Sequence, residues 1–102
     1  MGVLVDVQNT LVANALIKWG SPDVQERFLP QLARDRVGAY ALSEAGSGSD
    51  AFALATTAAE QGDHFVLQGR KMWITNAYEA GVFLLFANAN PAAGYRGITA
   101  FL

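Results

Sequence analysis

Cysteine is absent from this 102-residue chain, and histidine occurs once. Without thiols there is neither a disulfide framework nor a thiolate metal centre, and His64 has no second imidazole with which to share a metal. Charge is scarce as well: Asp, Glu, Lys and Arg make up 16% of the residues, and the net charge is −2. No Lys/Arg run forms the basic stripe by which a protein meets nucleic acid. Long apolar runs are also missing. The longest, Val82 to Ala87, is far short of the ~20 residues a helix needs to span a bilayer. The opening Met1-Gly2-Val3-Leu4-Val5-Asp6 lacks the basic start of a signal peptide, and Asp6 stands where a myristoylation site needs a hydroxyl. A bacterial-type cytoplasmic protein is the expectation.

What the chain does have is apolar surface. Hydrophobic residues make up 52% of it and charged residues only 16%, whereas an ordinary domain carries about 25% charge. A chain of this length buries only roughly 60–65% of its extended surface, so the surplus implies neighbours, either further domains or further subunits. Both ends point the same way. Met1 sits almost on a helical pattern and Leu102 lies inside an apolar strand pattern, whereas domain boundaries favour exposed polar segments. The chain is expected to be an internal fragment of a larger protein.

Residues 3–19 read as one helix, with Val3, Val7, Leu11, Ala15 and Trp19 repeating at i+4 beside Leu4, Val12 and Leu16. Gly20 suits a left-handed stop. Ser21-Pro22-Asp23 suits a new start: a hydroxyl cap, a proline where no donor is needed, and an acid at the positive helix end. Pro30 is expected to break that helix. The texture changes after Arg36. Val37–Leu42 reads as a strand, Ser43–Asp50 as a Gly/Ser loop, and 55–60 and 63–75 as strands joined through Gln61-Gly62-Asp63, a hairpin signal. Val82–Asn88 is apolar at both parities, as in a strand buried on both faces, with Phe83, Leu85 and Phe86 in the core. Gly97–Leu102 reads as a further strand.

Two segments carry chemistry. In Ser43-Glu44-Ala45-Gly46-Ser47-Gly48-Ser49-Asp50, backbone N–H groups and hydroxyls follow a strand together. Glycines let a ligand approach the backbone, and successive N–H groups form concavities suited to anions. A plain surface turn has the same composition. Gly46-x-Gly48-x-x-Ala51 also fits a dinucleotide fingerprint, but Ser43, Glu44 and Ala45 separate it from the strand, and hairpins follow where a crossover helix should be. In Gly69-Arg70-Lys71-Met72-Trp73-Ile74-Thr75-Asn76, a strand of period two would put Trp73 and Thr75 on one face. An indole beside a hydroxyl suits a planar, heteroatom-rich ring, although a core Trp beside a strand-bonded Thr is equally consistent with the segment alone.

Taken together, Ala41 to Asp50 followed by Lys71-Met72-Trp73-Ile74-Thr75-Asn76 closely resembles the acyl-CoA dehydrogenase family. Leu29-Pro30-Gln31-Leu32 and Gly94-Tyr95-Arg96-Gly97-Ile98-Thr99-Ala100-Phe101-Leu102 extend the resemblance along the whole chain. Asp6-Val7-Gln8-Asn9-Thr10 and the last of these segments are most similar to the short/branched-chain members.

The resemblance implies an α+β fragment: residues 1–36 the end of an all-helical N-terminal domain, 37–102 the first strands of an antiparallel, barrel-like middle domain, with the C-terminal helical domain absent. It implies FAD as cofactor. Tyr40, Ala41, Leu42, Ser43, Gly46, Ser47, Gly48 and Ser49 would run along the flavin, with Leu42 and Ser43 near the pyrimidine edge and Ser49 where flavin and acyl-CoA contacts converge. Trp73, Ile74 and Thr75 would complete that wall, Trp73 covering the ring and Thr75 bonding near N5. The reaction implied is α,β-dehydrogenation of a short or branched acyl-CoA to the trans-2-enoyl-CoA, with hydride passing to N5. An electron-transfer flavoprotein would be the electron acceptor and a homotetramer the parent assembly. The catalytic base belongs to the missing helical domain, so no catalytic residue is assigned here. Glu44 and Asp50 resemble an acid/base pair, but a loop carboxylate capping nearby N–H groups is ordinary. Glu79 and the Arg34-Asp35-Arg36 cluster read as solvated, and His64 as exposed at the hairpin. A non-catalytic structural or binding module, and a Rossmann-type nucleotide binder, are the alternatives.

Overall fold

The computed structural model describes residues 2–102. Its internal contacts divide into two compact units. One holds the chain up to Tyr40 together with Thr75–Leu84 and Leu102, and the other holds Ala41–Ile74 and Leu85–Phe101.

In the first unit the helical pattern is not one continuous α-helix. Helix α1 (Gly2–Asp6) passes into a π-helical segment, Val7–Ala13, and then into α2 (Asn14–Trp19). This change of winding decides which face is buried. Val7 and Val12 are five residues apart, the hydrogen-bond spacing of a π-turn, and both are buried, as is Leu16 one α-turn later. The i+4 stripe expected from the sequence loses phase: Val3, Leu11 and Trp19 are 65%, 40% and 79% exposed. Gln8 ties the segment down, its side-chain amide donating to Leu32 O at 2.8 Å and its oxygen accepting from Gly38 N–H at 3.2 Å.

Helix α3 (Pro22–Arg34) begins as the sequence predicts, with the Ser21 hydroxyl accepting from Val24 N–H, Pro22 in the first turn and Asp23 beside it. Pro30, however, lies inside this helix and does not end it. Pro30 and Glu26, whose carbonyl loses its donor, are both exposed, so water can replace the missing bond. Gly20 also departs from expectation. Its backbone is extended (φ −69°, ψ 143°), not left-handed. Its lack of a side chain serves close approach instead, because a Cβ there would stand 2.5 Å from Leu16 O. The carbonyls at this helix end are capped from the next helix: the Gln25 side-chain amide lies 3.0 Å from both Leu16 O and Ile17 O and 3.2 Å from Gly20 O.

Strand β1 is Gly38–Ala41, and β2 (Thr57–Gln61) and β3 (His64–Gln68) form the expected hairpin. They pair antiparallel from Thr57↔Gln68 to Gln61↔His64. The two-residue loop places Gly62 at φ +66°, the first-position glycine of a type II′ turn. His64 is exposed beside Asp63, 3.0 Å away. Strand β4 (Val82–Asn88) pairs antiparallel with β5 (Ile98–Phe101) and meets β2 in parallel at Thr57↔Asn88. The strand order is β1-β4-β2-β3 with β5 also on β4, so the sheet is mixed. Helices followed by a small mixed sheet make the chain α+β. Phe83 is 39% exposed and Leu85 and Phe86 are half-buried, so β4 is not the fully buried strand that its composition suggests. The second unit packs around three alanines, Ala41, Ala58 and Ala87, together with Leu54.

Candidate functional site

The strand expected over 63–75 stops at Gln68. Beyond it the chain presses on the 56 position, where a Cβ on Gly69 would come within 2.3–2.7 Å of Thr56, and Lys71 then turns inward. Its ammonium donates to Leu42 O at 3.1 Å and to Glu44 Oε1 at 2.7 Å. The two side chains are 10% and 7% exposed. Glu44 collects further donors: Ala55 N–H to Oε2 at 2.6 Å, Thr56 N–H to Oε1 at 3.1 Å, and the Thr56 hydroxyl to Oε1. Burial pushes this carboxyl up, but the Lys71 ammonium, the Thr56 hydroxyl and the two backbone N–H groups outweigh it and bring it down to about 2. Backbone completes the junction, with Met72 N–H donating to Ser43 O at 2.9 Å.

The two motif segments are therefore joined through residues 42–44 and 71–72. Immediately after this seam Trp73 adopts φ +59° and is 87% exposed. A left-handed backbone at a bulky residue is a true outlier, costing on the order of 1–3 kcal/mol, and persists only where its surroundings fix it. Period-two reasoning about Trp73 and Thr75 does not apply, because no strand runs through them. Thr75 is exposed at the head of a turn. The next residue, Asn76, also has positive φ, +68°, and its amide donates to Leu4 O and Gly38 O, each at 3.2 Å.

Leu42 and Ser43 are half-buried, Ala41 is buried, and Gly46, Gly48 and Ser49 are exposed. Ser47 is buried at 1% exposure, and its hydroxyl donates to Asp50 O at 2.9 Å. Glu44 and Ser47 exchange both backbone bonds, at 2.9 and 3.1 Å, so their N–H groups are spent inside the turn. Gly46 and Gly48 have no positive φ, and a Cβ on either would meet nothing within 4 Å. Half-buried Tyr40 and Ile74 flank the seam in sequence; burial raises the Tyr40 phenol above its ordinary range. Among the described residues, Leu42, Ser43 and the backbone leading into Trp73 come together, whereas Tyr40 and Thr75 belong to the other compact unit.

Glu44 is no general acid or base: its oxygens are filled by donors and it is held ionised. Asp50 is exposed and does not pair with it. Among the described residues no cluster of three metal-binding side chains occurs. Lys71 is the site residue that sequence reasoning passed over, and the clue lay in a cation next to the apolar Met72, Trp73 and Ile74 with a carboxylate, Glu44, in the preceding loop. The antiparallel hairpin after the glycine loop, with no crossover helix, removes the Rossmann alternative.

The family model for the acyl-CoA dehydrogenase middle domain matches residues 39–102. The chain belongs to the acyl-CoA dehydrogenase family. A probable short/branched chain specific acyl-CoA dehydrogenase of Dictyostelium discoideum is 58% identical over 103 residues, covering 100% of this chain and 25% of the relative. The mitochondrial short/branched chain specific enzyme of Rattus norvegicus is 47% identical over 102 residues, covering 100% of this chain and 24% of the relative. Among solved structures, butyryl-CoA dehydrogenase from Megasphaera elsdenii aligns with TM-score 0.91 at 33% identity, covering 97% of this chain and 26% of that one. A chain in the structure of the electron transferring flavoprotein of Acidaminococcus fermentans aligns with TM-score 0.94 at 35% identity, covering 98% and 27%. The chain thus spans about a quarter of the relatives it matches. Among the described residues no helix is long and apolar enough to cross a membrane.

Proposed function

We propose that this chain is the flavin-facing segment of a dehydrogenase acting on short or branched acyl-CoA thioesters, with residues 1–36 closing its helical N-terminal domain and 37–102 opening its middle domain. The observation that carries this reading is the seam at Ser43 and Met72, which leaves the Trp73 indole exposed in a strained backbone within a family of flavin enzymes. The residues present fit part of an isoalloxazine site. An exposed indole offers a planar apolar surface, the Ser43 hydroxyl offers a donor for ring heteroatoms, and the open faces of Gly46 and Gly48 admit close approach.

FAD, when bound, would supply the hydride acceptor that no side chain provides. The role of this chain would be to bind and orient: Trp73 and Ile74 would hold the ring, Leu42 and Ser43 would contact its polar edge, and Ser49 would serve the thioester. Donors fixed before reaction cost no reorganisation as charge grows on the acceptor and the thioester, which is how such groups lower a barrier. Proton abstraction from the substrate falls outside these residues, since the buried carboxylate is saturated. The parent assembly we infer is a homotetramer that passes electrons to an electron-transfer flavoprotein, in keeping with the family resemblance. The rat relative is mitochondrial by name.

Because the chain spans a quarter of its relatives and places no base, its second reading is a non-catalytic module when separated from the rest. The two readings are distinguished by mixing full-length protein anaerobically with butyryl-CoA or 2-methylbutyryl-CoA and following flavin bleaching, with the isolated chain in parallel. Bleaching confined to the full-length protein supports both statements. Full-length protein that carries no flavin overturns the first. Thr75→Val in the full-length protein should slow bleaching by about 10²–10³-fold if its hydroxyl acts like an oxyanion-hole donor; an unchanged rate removes that role.

A further inference from the structure

We propose that Glu44 and Lys71 form a positioning pair that holds Trp73 in its left-handed, outward-facing conformation and thereby sets the geometry of the proposed flavin wall. The inference rests on that proposed site, but its structural half stands on contacts within this chain alone.

One carboxylate holds three separate stretches of backbone together. It is itself part of the glycine loop, it accepts from Ala55 and Thr56 on the approach to β2, and it accepts from Lys71. Lys71 spends a second proton on Leu42 O, so the ammonium spans the residues on either side of Ser43. The Met72 N–H to Ser43 O bond then closes a short backbone link one residue before Trp73. A positive φ at tryptophan is not what the residue chooses by itself. Something must hold it there, and packing does not, because the indole is 87% exposed. The anchored residues just before it are the restraint the structure offers.

An apolar pair of the same volume would fill this space as well and would often be no less stable. An ammonium and a carboxylate differ from it in direction: each bond fixes a particular carbonyl or N–H, so the pair specifies where residues 42–44 and 71–72 lie relative to each other. That is the requirement of a site in which a misplacement of about 1 Å costs about a hundredfold in rate. Neither side chain touches substrate or cofactor in this scheme; both act through Ser43 and Trp73.

The test uses the full-length protein labelled with 5-fluorotryptophan, the Trp73 signal being assigned with Trp73→Phe, together with flavin reduction by butyryl-CoA. The variants are E44Q, K71M, K71R and the charge-neutral double E44Q/K71M. The expected result is a single sharp Trp73 fluorine line in the unaltered protein and in K71R. In E44Q and K71M the line should be broadened or split, and flavin reduction about a hundredfold slower. The double variant, which leaves no uncompensated buried charge, should recover melting temperature yet keep the disordered Trp73 line. Should either single variant not fold, the double variant alone decides between the outcomes. A sharp, unshifted Trp73 line in a folded E44Q/K71M protein would overturn the proposal. If the unaltered protein shows the sharp line but no flavin bleaching, the flavin reading fails while the fluorine comparison still decides the positioning role.

Discussion

Acidification should release the loop that Glu44 secures, and the size of the effect follows from its surroundings. The carboxyl lies at about 2 in the folded chain against an ordinary 4.5. A lowered value means that folding favours the ionised form. Its contribution is therefore complete above about pH 4.5 and is lost as the pH falls through about 2. At 1.36 kcal/mol per pH unit, that gap corresponds to roughly 3 kcal/mol, about a hundredfold in a local opening constant. Hydrogen exchange read by mass spectrometry suits this pH range, and the reporting amides are Ala55 and Thr56, which donate directly to the carboxylate. After correction for intrinsic exchange, protection of that peptide in the full-length protein should fall by about two orders of magnitude between about pH 4.5 and pH 2. In Glu44→Gln the same peptide should start less protected and stay nearly flat. Identical pH profiles in the two proteins, or protection that rises on acidification, would refute the account of Glu44 as an ionised, fully bonded anchor.

Trp73→Gly should leave the full-length protein more stable than Trp73→Ala by about 1 kcal/mol in chemical denaturation, because glycine accepts φ > 0 without the Cβ penalty. An alanine variant of equal or greater stability would show that the positive φ is not retained in solution. Gln25→Leu should cost about 1 kcal/mol by loss of its bonds to the end of α2, read as a lower melting temperature together with faster exchange at Gly20, whose N–H closes that turn on Leu16 O at 2.9 Å.

Element types were largely legible, because they depend on local chemistry. Ser21-Pro22-Asp23 starts a helix wherever it stands free, and Gly62 in a two-residue loop between apolar strands turns a hairpin. What the sequence hid were consequences of long-range contact. The phase of the first helix depends on a π-segment, and Gln8 within it bonds Leu32 and Gly38, 24 and 30 residues away. Pro30 survives inside α3 because its face is exposed, which local rules do not register. In the site, the pairing of the two motif segments was legible from their resemblance, but its mechanism was not. Period two failed at Trp73 and Thr75 because the strand ends at Gln68, and Lys71, beyond it, bonds a carboxylate 27 residues earlier. The capping role expected of Glu44 was right in kind, and burial makes it stronger than an ordinary loop cap.

Strand β3 has a consequence for handling this chain by itself. It lies at the margin of the sheet, and Phe65, Val66 and Leu67 are 46%, 43% and 41% exposed. A margin of that composition presents unsatisfied peptide groups beside sticky side chains, a template on which another copy can add its own strand. Prepared alone, the polypeptide should gather into β-rich assemblies as its concentration rises, and a lysine placed at Val66 should keep it dispersed.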